Sequence, residues 1–155
     1  EVPLPGGRAP SQNDVFVLAK GSDGLVSISV EGKVAEAFDS PVDKRFAKPS
    51  PGQTTRLEFL LKLLELRRED VGGIGYQLLH RTASALLEAQ RFGARHAAML
   101  VHSFSPELAP FDDYAAFVGL YGDTAEPNRL VTARQLGDIT LYLGWVVGNP
   151  EYLAR

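Results

Sequence analysis

The chain has 155 residues, a length that fits one domain with a full core rather than two small ones. Its hydrophobic fraction of 45% and charged fraction of 23% are ordinary for a globular protein. Because there is no cysteine, a disulfide framework and a thiolate zinc site are excluded, and a reducing, cytoplasmic setting is expected. No apolar run approaches the roughly 20 residues of a membrane span, so no membrane partner is expected.

The charge balance counts mildly against extensive nucleic-acid binding. Lys and Arg total 16 against 19 Asp and Glu, for a net charge of -3, whereas a dedicated nucleic-acid coat is usually basic. A local basic face could still exist within this balance. The first residue is Glu1 rather than Met, so we expect an N-terminally truncated chain, a single α/β domain over residues 1–155.

A β-hairpin is predicted after a Pro- and Gly-rich loop at residues 1–13, which includes a short edge strand at 2–4. The first strand is apolar and β-branched (14–20), and the second alternates in polarity (25–35). Between them, Gly21-Ser22-Asp23-Gly24 has turn composition. The alternation predicts that one face of the second strand lies in the core and that the other is polar.

The rest of the chain predicts helices and further strands in the order β-β-α-α-β-α-β. Residues 38–53 are expected to be a loop, and Thr55 with Glu58 has the spacing of a capping box that opens a helix to about residue 68. The remaining predicted elements are a helix over about 74–92 that stops at Gly93, a buried strand at 96–104, a helix from Asp112 or Asp113 to 121, and a strand at 139–147.

The polar face of the hairpin holds a candidate site. If Gly21–Gly24 form the turn, the numbers of any two facing residues in the hairpin add up to 45. Asp14 then lies opposite Glu31, with Cβ atoms about 4.5–5.5 Å apart. Like charges at that distance are destabilising, and a divalent cation such as Mg²⁺ would explain them. Lys33 points to the same face, where it could stabilise developing negative charge. The alternative is a solvated ion pair on an ordinary hairpin.

The predicted second helix carries one polar stripe on an otherwise apolar surface. At about 100° per residue, the stripe contains Gln77, His80, Arg81, Ser84 and Glu88. A helix this apolar is largely buried, so its stripe faces solvent, a partner or a site. Either it is a solvent-facing seam, or Gln77, Arg81 and His80 approach the polar end of the hairpin.

These residues resemble the motif of the PD-(D/E)XK nuclease superfamily. Asn13-Asp14 corresponds to its first acidic position, Glu31-Gly32-Lys33 to its (D/E)-x-K, and Gln77 to a glutamine that many members place beside the metal. The segments SQNDVFVLA, VEGKVAEAF and YQLLHRTASALLEA are also similar to an uncharacterised bacterial branch of that superfamily. The resemblance covers roughly residues 13–104 and implies a mixed β-sheet with an N-terminal antiparallel hairpin, flanked by helices. This restriction-endonuclease-like core lacks its first helix here and has an extra one at 55–68.

The resemblance implies Mg²⁺- or Mn²⁺-dependent phosphodiester hydrolysis. Asp14 and Glu31 would hold the metal, and Lys33 would position water or neutralise charge on the phosphate. Gln77 would orient the nucleophile, and Arg81 and His80 would contact substrate, which is either nucleic acid or a small phosphoester. The alternative is a non-enzymatic binding or interaction module that keeps the fold, because fold does not fix function.

Overall fold

The structure, a computed structural model, describes residues 1–154. In chain order its strands and α-helices are β1 (Val15–Gly21), β2 (Gly24–Lys33), α1 (Val42–Arg45), α2 (Pro51–Leu64), α3 (Tyr76–Phe92), β3 (His96–Ser103), α4 (Phe111–Gly119), β4 (Leu130–Leu136) and β5 (Ile139–Val147). None of the helices within residues 1–154 has the length and apolar character that a membrane span requires.

The strands form one mixed sheet in the order β1-β2-β3-β5-β4. The central pairs β2–β3 and β3–β5 are parallel, and the outer pairs β1–β2 and β4–β5 are antiparallel. In the hairpin, Val15 lies opposite Val30 and Lys20 opposite Leu25, so paired positions sum to 45 and the predicted register is confirmed. The predicted α/β class, with an N-terminal antiparallel hairpin and flanking helices, is also confirmed.

The core lies between the sheet and its helices. Helix α3 packs on β2, β3 and β5, and α2 packs on α3. Helix α4 places Phe111 and Tyr114 against the fully buried Trp145 of β5, with ring centroids 5.1 and 5.4 Å away. By strand register Trp145 lies level with Val101 and Glu31, so the helices pack on the face that also carries Glu31.

The polar row of β2 faces α3, so the prediction that the polar face of this strand lies away from the core was wrong. Its side chains are almost completely buried, whereas the apolar row of Val26, Ile28 and Val30 on the other face is only half-buried. The polar row consists of Ser27, Ser29, Glu31 and Lys33. These polar side chains can be buried because α3 supplies hydrogen-bond partners for them. For example, the Ser27 hydroxyl donates to the Ala85 carbonyl oxygen at 2.9 Å.

The opposite face of the sheet exposes apolar side chains near both edges. Val15 and Val17 on β1 are 51% and 40% exposed, and Leu130 on β4 is 54% exposed. Leu100 lies between them over Gly144, where a Cβ would come within 2.7 Å of the leucine side chain. The helices therefore cover one face of the sheet, and the other face leaves apolar side chains in contact with solvent.

Helix α2 begins and ends four residues earlier than predicted. Its N-cap is Ser50, whose hydroxyl accepts from the Gln53 backbone N–H, while the Gln53 side chain accepts from the Ser50 N–H. The capping box predicted at Thr55 and Glu58 was therefore wrong, and both residues lie inside the helix. Pro51 at the first helical position explains the choice, because a proline there loses no helical hydrogen bond.

Three further predictions need correction. Strand β4 was missed, and the expected loop at 38–53 contains α1 and the start of α2. The edge strand at 2–4 is a single bridge between Val2 and Ser11 outside the sheet. The later elements are close to their predicted bounds, and α3 ends as predicted at Gly93, which has a left-handed φ of 63°.

Candidate functional site

The Glu31 carboxylate is the centre of a buried polar cluster between β2 and α3. Its Oε2 accepts from Arg81 Nε at 2.5 Å, and its Oε1 accepts from Gln77 Nε2 at 2.5 Å. Lys33 Nζ lies 3.2 Å from the same Oε1 and donates to Gln77 Oε1 at 2.7 Å. We call Glu31, Lys33, Gln77 and Arg81 the hairpin–helix cluster.

The geometry of α3 explains why Gln77 and Arg81 both reach β2. The two residues are four apart, so their side chains leave the helix on the same face. The first turn is fixed by the backbone: Gln77 N–H donates to the Phe38 carbonyl oxygen at 3.2 Å. The N-cap of α3, Gly75, must be a glycine, because a Cβ there would lie 2.5 Å from the same Phe38 carbonyl oxygen. Of the two alternatives for the polar stripe, the structure shows the one in which Gln77 and Arg81 approach the hairpin.

Asp14 is exposed and lies just before β1, next to the cluster but outside its hydrogen bonds. Its Oδ2 accepts from the Gly32 backbone N–H at 2.7 Å, on the residue between Glu31 and Lys33. The preceding Asn13 donates from Nδ2 to the Ser29 hydroxyl at 3.0 Å, which ties this segment to β2. The structure thus brings Asp14 to the backbone of the Glu31-Gly32-Lys33 segment, while Glu31 itself is only 4% exposed.

His80 belongs to a neighbouring contact rather than to the cluster. Its Nδ1 lies 2.9 Å from the Ser11 hydroxyl, which also accepts from Arg81 Nη1 at 3.2 Å. Burial, with the positive charges of Arg81, Arg45, Arg56 and Lys33, lowers the pKa of His80 to about 3. Sequence reasoning missed Ser11, because a serine in a Pro- and Gly-rich loop carries no periodic signal.

The charges of the cluster are unusual for a metal site. Glu31 contributes one negative charge against the two positive charges of Lys33 and Arg81, and Asp14 brings the sum to zero. Among residues 1–154 there is no group of three or more His, Asp or Glu side chains that could hold a metal ion. Oxygen donors near the cluster include the carboxylates of Asp14 and Glu31 and the Gln77 amide oxygen.

A comparison with protein families decides where the chain belongs. Residues 1–150 match the family described as "Domain of unknown function (DUF6946)". The chain belongs to this family. No curated protein and no solved structure matches the chain. Membership of DUF6946 carries no activity with it, so the resemblance to PD-(D/E)XK nucleases stays a prediction from the motif, as does the nuclease-like fold.

Proposed function

We propose that the hairpin–helix cluster, together with Asp14, is a divalent-metal site for phosphodiester hydrolysis. The observation that supports this most strongly is the contact between distant parts of the sequence. Glu31 and Lys33 from β2 meet Gln77 from α3 through side-chain hydrogen bonds, and Asp14 is held at the backbone of Gly32 between them. These are the four residues that the motif assigns to the chemistry.

The chemistry of the donors fits Mg²⁺ or Mn²⁺. Both ions prefer oxygen ligands, and Mg²⁺ usually takes one or two carboxylates and keeps several waters. Asp14 uses only Oδ2 in its hydrogen bond to Gly32, and its Oδ1 has no hydrogen-bond partner within residues 1–154. Both Glu31 oxygens accept from neighbouring side chains, so a metal at Glu31 requires Arg81 to leave Oε2.

The residues of the chain then have distinct roles. A bound divalent cation would polarise the phosphate and lower the pKa of a bound water. Lys33 stabilises negative charge on the phosphate, and Gln77 orients Lys33 and Glu31 through its two hydrogen bonds. Arg81, once released from Glu31, has a planar guanidinium that can donate two parallel hydrogen bonds to phosphate oxygens. His80 lies beside it as a neutral group.

The proposal is tested by hydrolysis assays with Mg²⁺ or Mn²⁺ on bis(4-nitrophenyl) phosphate and on single- and double-stranded oligonucleotides. We expect Asp14→Asn to lower the rate by roughly 100-fold or more, because the cation loses a charged ligand. The amide oxygen can still accept from Gly32, so the fold is retained. The control is Asp113→Asn on α4, an exposed acid far along the chain. Equal rates in the two variants, or no hydrolysis by the wild type, would contradict the proposal.

A second candidate is a non-enzymatic scaffold in which the same cluster joins α3 to the sheet. It is favoured by the hydrogen bonds and ion pairs that occupy both oxygens of Glu31. In that case the cluster stabilises the fold and has no need of Asp14. The two candidates differ in one measurable property: only the metal site predicts that a divalent cation raises the melting temperature by mass action.

A further inference from the structure

A second polar site is lined in part by Tyr76, whose ring centre lies 5.0 Å from that of His80. It is a pocket of about 140 Å³ between the N-terminal loop, α1 and the first turn of α2. Three arginines, Arg8, Arg45 and Arg56, line it, and no acidic side chain does. This is unexpected in a chain whose net charge is -3. We call it the arginine pocket.

Two of the three arginines are held there by contacts with different parts of the fold. Arg56 on α2 donates from Nε to the Pro5 carbonyl oxygen at 2.9 Å and from Nη2 to that of Leu4 at 3.3 Å. The guanidinium of Arg45 lies 4.6 Å from the centre of the Tyr76 ring and pairs with Asp39 at 2.7 Å. Arg8 is exposed and has no ion-pair partner within the described chain.

Close backbone contact holds the N-terminal loop on α2. A Cβ on Gly6 would lie 2.0 Å from the Gly52 carbonyl oxygen, and Gly6 has a φ of +77° that favours glycine. A Cβ on Gly7 would lie 3.1 Å from Arg56 Nη2. The wall of the pocket that the N-terminal loop forms is therefore held in place by close backbone packing on α2.

The charge in the pocket is incompletely neutralised. Arg45 has a carboxylate partner, but Arg56 donates to neutral carbonyl oxygens and Arg8 has no acidic partner among residues 1–154, so two of the three positive charges remain unpaired. The effect extends to the adjoining helix, where Arg45 and Arg56 contribute to the lowered pKa of His80. Unpaired guanidinium groups around a concave surface create a positive potential that attracts anions.

We propose that the arginine pocket binds a phosphate group. Arginine matches phosphate oxygens with paired donors, and its charge does not titrate. At about 30 Å³ for each water, the pocket holds roughly five waters, which is enough for a phosphate and its first contacts. The site is separate from the hairpin–helix cluster and does not depend on a metal at Asp14.

Isothermal titration of the full chain with inorganic phosphate, against chloride of equal ionic strength, tests the proposal. We expect saturable binding that Arg8→Gln weakens by roughly tenfold or more, because one charge-assisted hydrogen bond is lost. Arg8 is chosen because its side chain is exposed, whereas Arg56 also holds the N-terminal loop. Arg45→Gln is a second variant with the same expected direction. Arg95→Gln, an exposed arginine at the start of β3, is the control and keeps the wild-type affinity.

Two further ligands distinguish the source of the phosphate. A nucleoside 5′-monophosphate presents a terminal phosphate, and a dinucleotide without a terminal phosphate presents only a bridging diester. Binding of either one, weakened by Arg8→Gln and not by Arg95→Gln, supports the pocket and identifies the class. The proposal is overturned if no phosphate compound binds saturably, or if Arg8→Gln and Arg95→Gln bind equally. Neither result depends on hydrolysis or on metal binding at the hairpin.

Discussion

At the scale of single residues, the main feature is a buried carboxylate between two cations. The side chain of Glu31 is 5% exposed, that of Lys33 is 4% and that of Arg81 is 11%. Taking these charges out of water is costly, and their mutual attraction offsets that cost only while all partners are present. Glu31 therefore contributes to folding as well as to any chemistry.

We predict that Glu31→Gln destabilises the fold by roughly 3–5 kcal/mol, because Lys33 and Arg81 then share a buried space without a carboxylate. Glu36→Gln is the matched control, since Glu36 lies 3.8 Å from the same lysine but is 57% exposed. Its expected cost is below about 1 kcal/mol. Urea denaturation at neutral pH measures both, and equal costs would show that the cluster is not an interdependent unit.

His80 makes stability depend on pH. Its pKa falls from 6.5 to about 3 on folding, so the folded chain keeps it neutral while the unfolded chain takes up a proton near 6.5. The free energy of unfolding is therefore unaffected by His80 above pH 6.5. As the pH falls from 6.5 toward 3, protonation of His80 in the unfolded chain lowers that free energy by on the order of a few kcal/mol. We predict that His80→Gln flattens the decline in unfolding free energy between pH 6.5 and 4. An unchanged slope would contradict this assignment.

The residues of the hairpin–helix cluster were accessible to sequence reasoning to different degrees. Gln77 and Arg81 were found because a polar stripe on an apolar helix has a clear 3.6-residue period. Glu31 and Lys33 were found because turn composition fixed the hairpin register. The near-complete burial of Glu31 was not foreseen, because the polar face of the strand was expected to lie away from the core, whereas α3 covers it.

At the scale of elements, α2 shows how a local pattern can have two solutions. Ser50 with Gln53 and Thr55 with Glu58 both satisfy the spacing of a capping box. Backbone geometry selects Ser50, and Thr55 instead donates its hydroxyl to the Pro51 carbonyl oxygen one turn earlier, at 3.0 Å. The proline at the first helical position was the sequence signal that separates the two.

This difference can be measured. We predict that Ser50→Ala lowers the unfolding free energy by about 1 kcal/mol, because it removes an N-cap acceptor. Thr55→Ala should change it by less than about 0.5 kcal/mol, since the residue is exposed and alanine favours the helix interior. Thermal denaturation of both variants provides the test. A larger loss for Thr55→Ala would place the cap where the sequence first suggested.

Strand β4 was missed for a local reason. Its alternation is interrupted by a register shift between Thr132 and Arg134, and a strand with a bulge does not keep a two-residue period. The signal that could have found it is the two-residue Gly137-Asp138 connection to β5, where Gly137 has a φ of 59°. A glycine followed by aspartate between apolar segments is typical of a hairpin turn.

At the scale of the whole molecule, burial is concentrated on one face of the sheet. Trp145 is fully buried against α4 and Phe38, whereas the next residue along β5, Val146, is 38% exposed on the other face. The class and the order of the predicted elements followed from periodicity. The strand order and the choice of covered face depend on long-range packing, which no local pattern encodes.

We predict that Trp145→Ala lowers the unfolding free energy by about 3–5 kcal/mol, because it leaves a large cavity among aromatic side chains. Val146→Ala should cost below about 1 kcal/mol, since the valine is already partly solvated. Because the two residues are neighbours in β5, both substitutions are made in the same strand and differ mainly in the face of the sheet that they affect. Similar losses in urea denaturation would mean that both faces of the sheet contribute equally to the core.

The proposed metal site at Asp14 and Glu31 is tested most directly by titrating the chain with Mn²⁺ while electron paramagnetic resonance follows the free ion. We expect saturable binding of Mn²⁺ by the wild type, loss of that binding in Asp14→Asn, and wild-type binding in Asp113→Asn. Binding that is absent from the wild type, or that survives unchanged in Asp14→Asn, would contradict it.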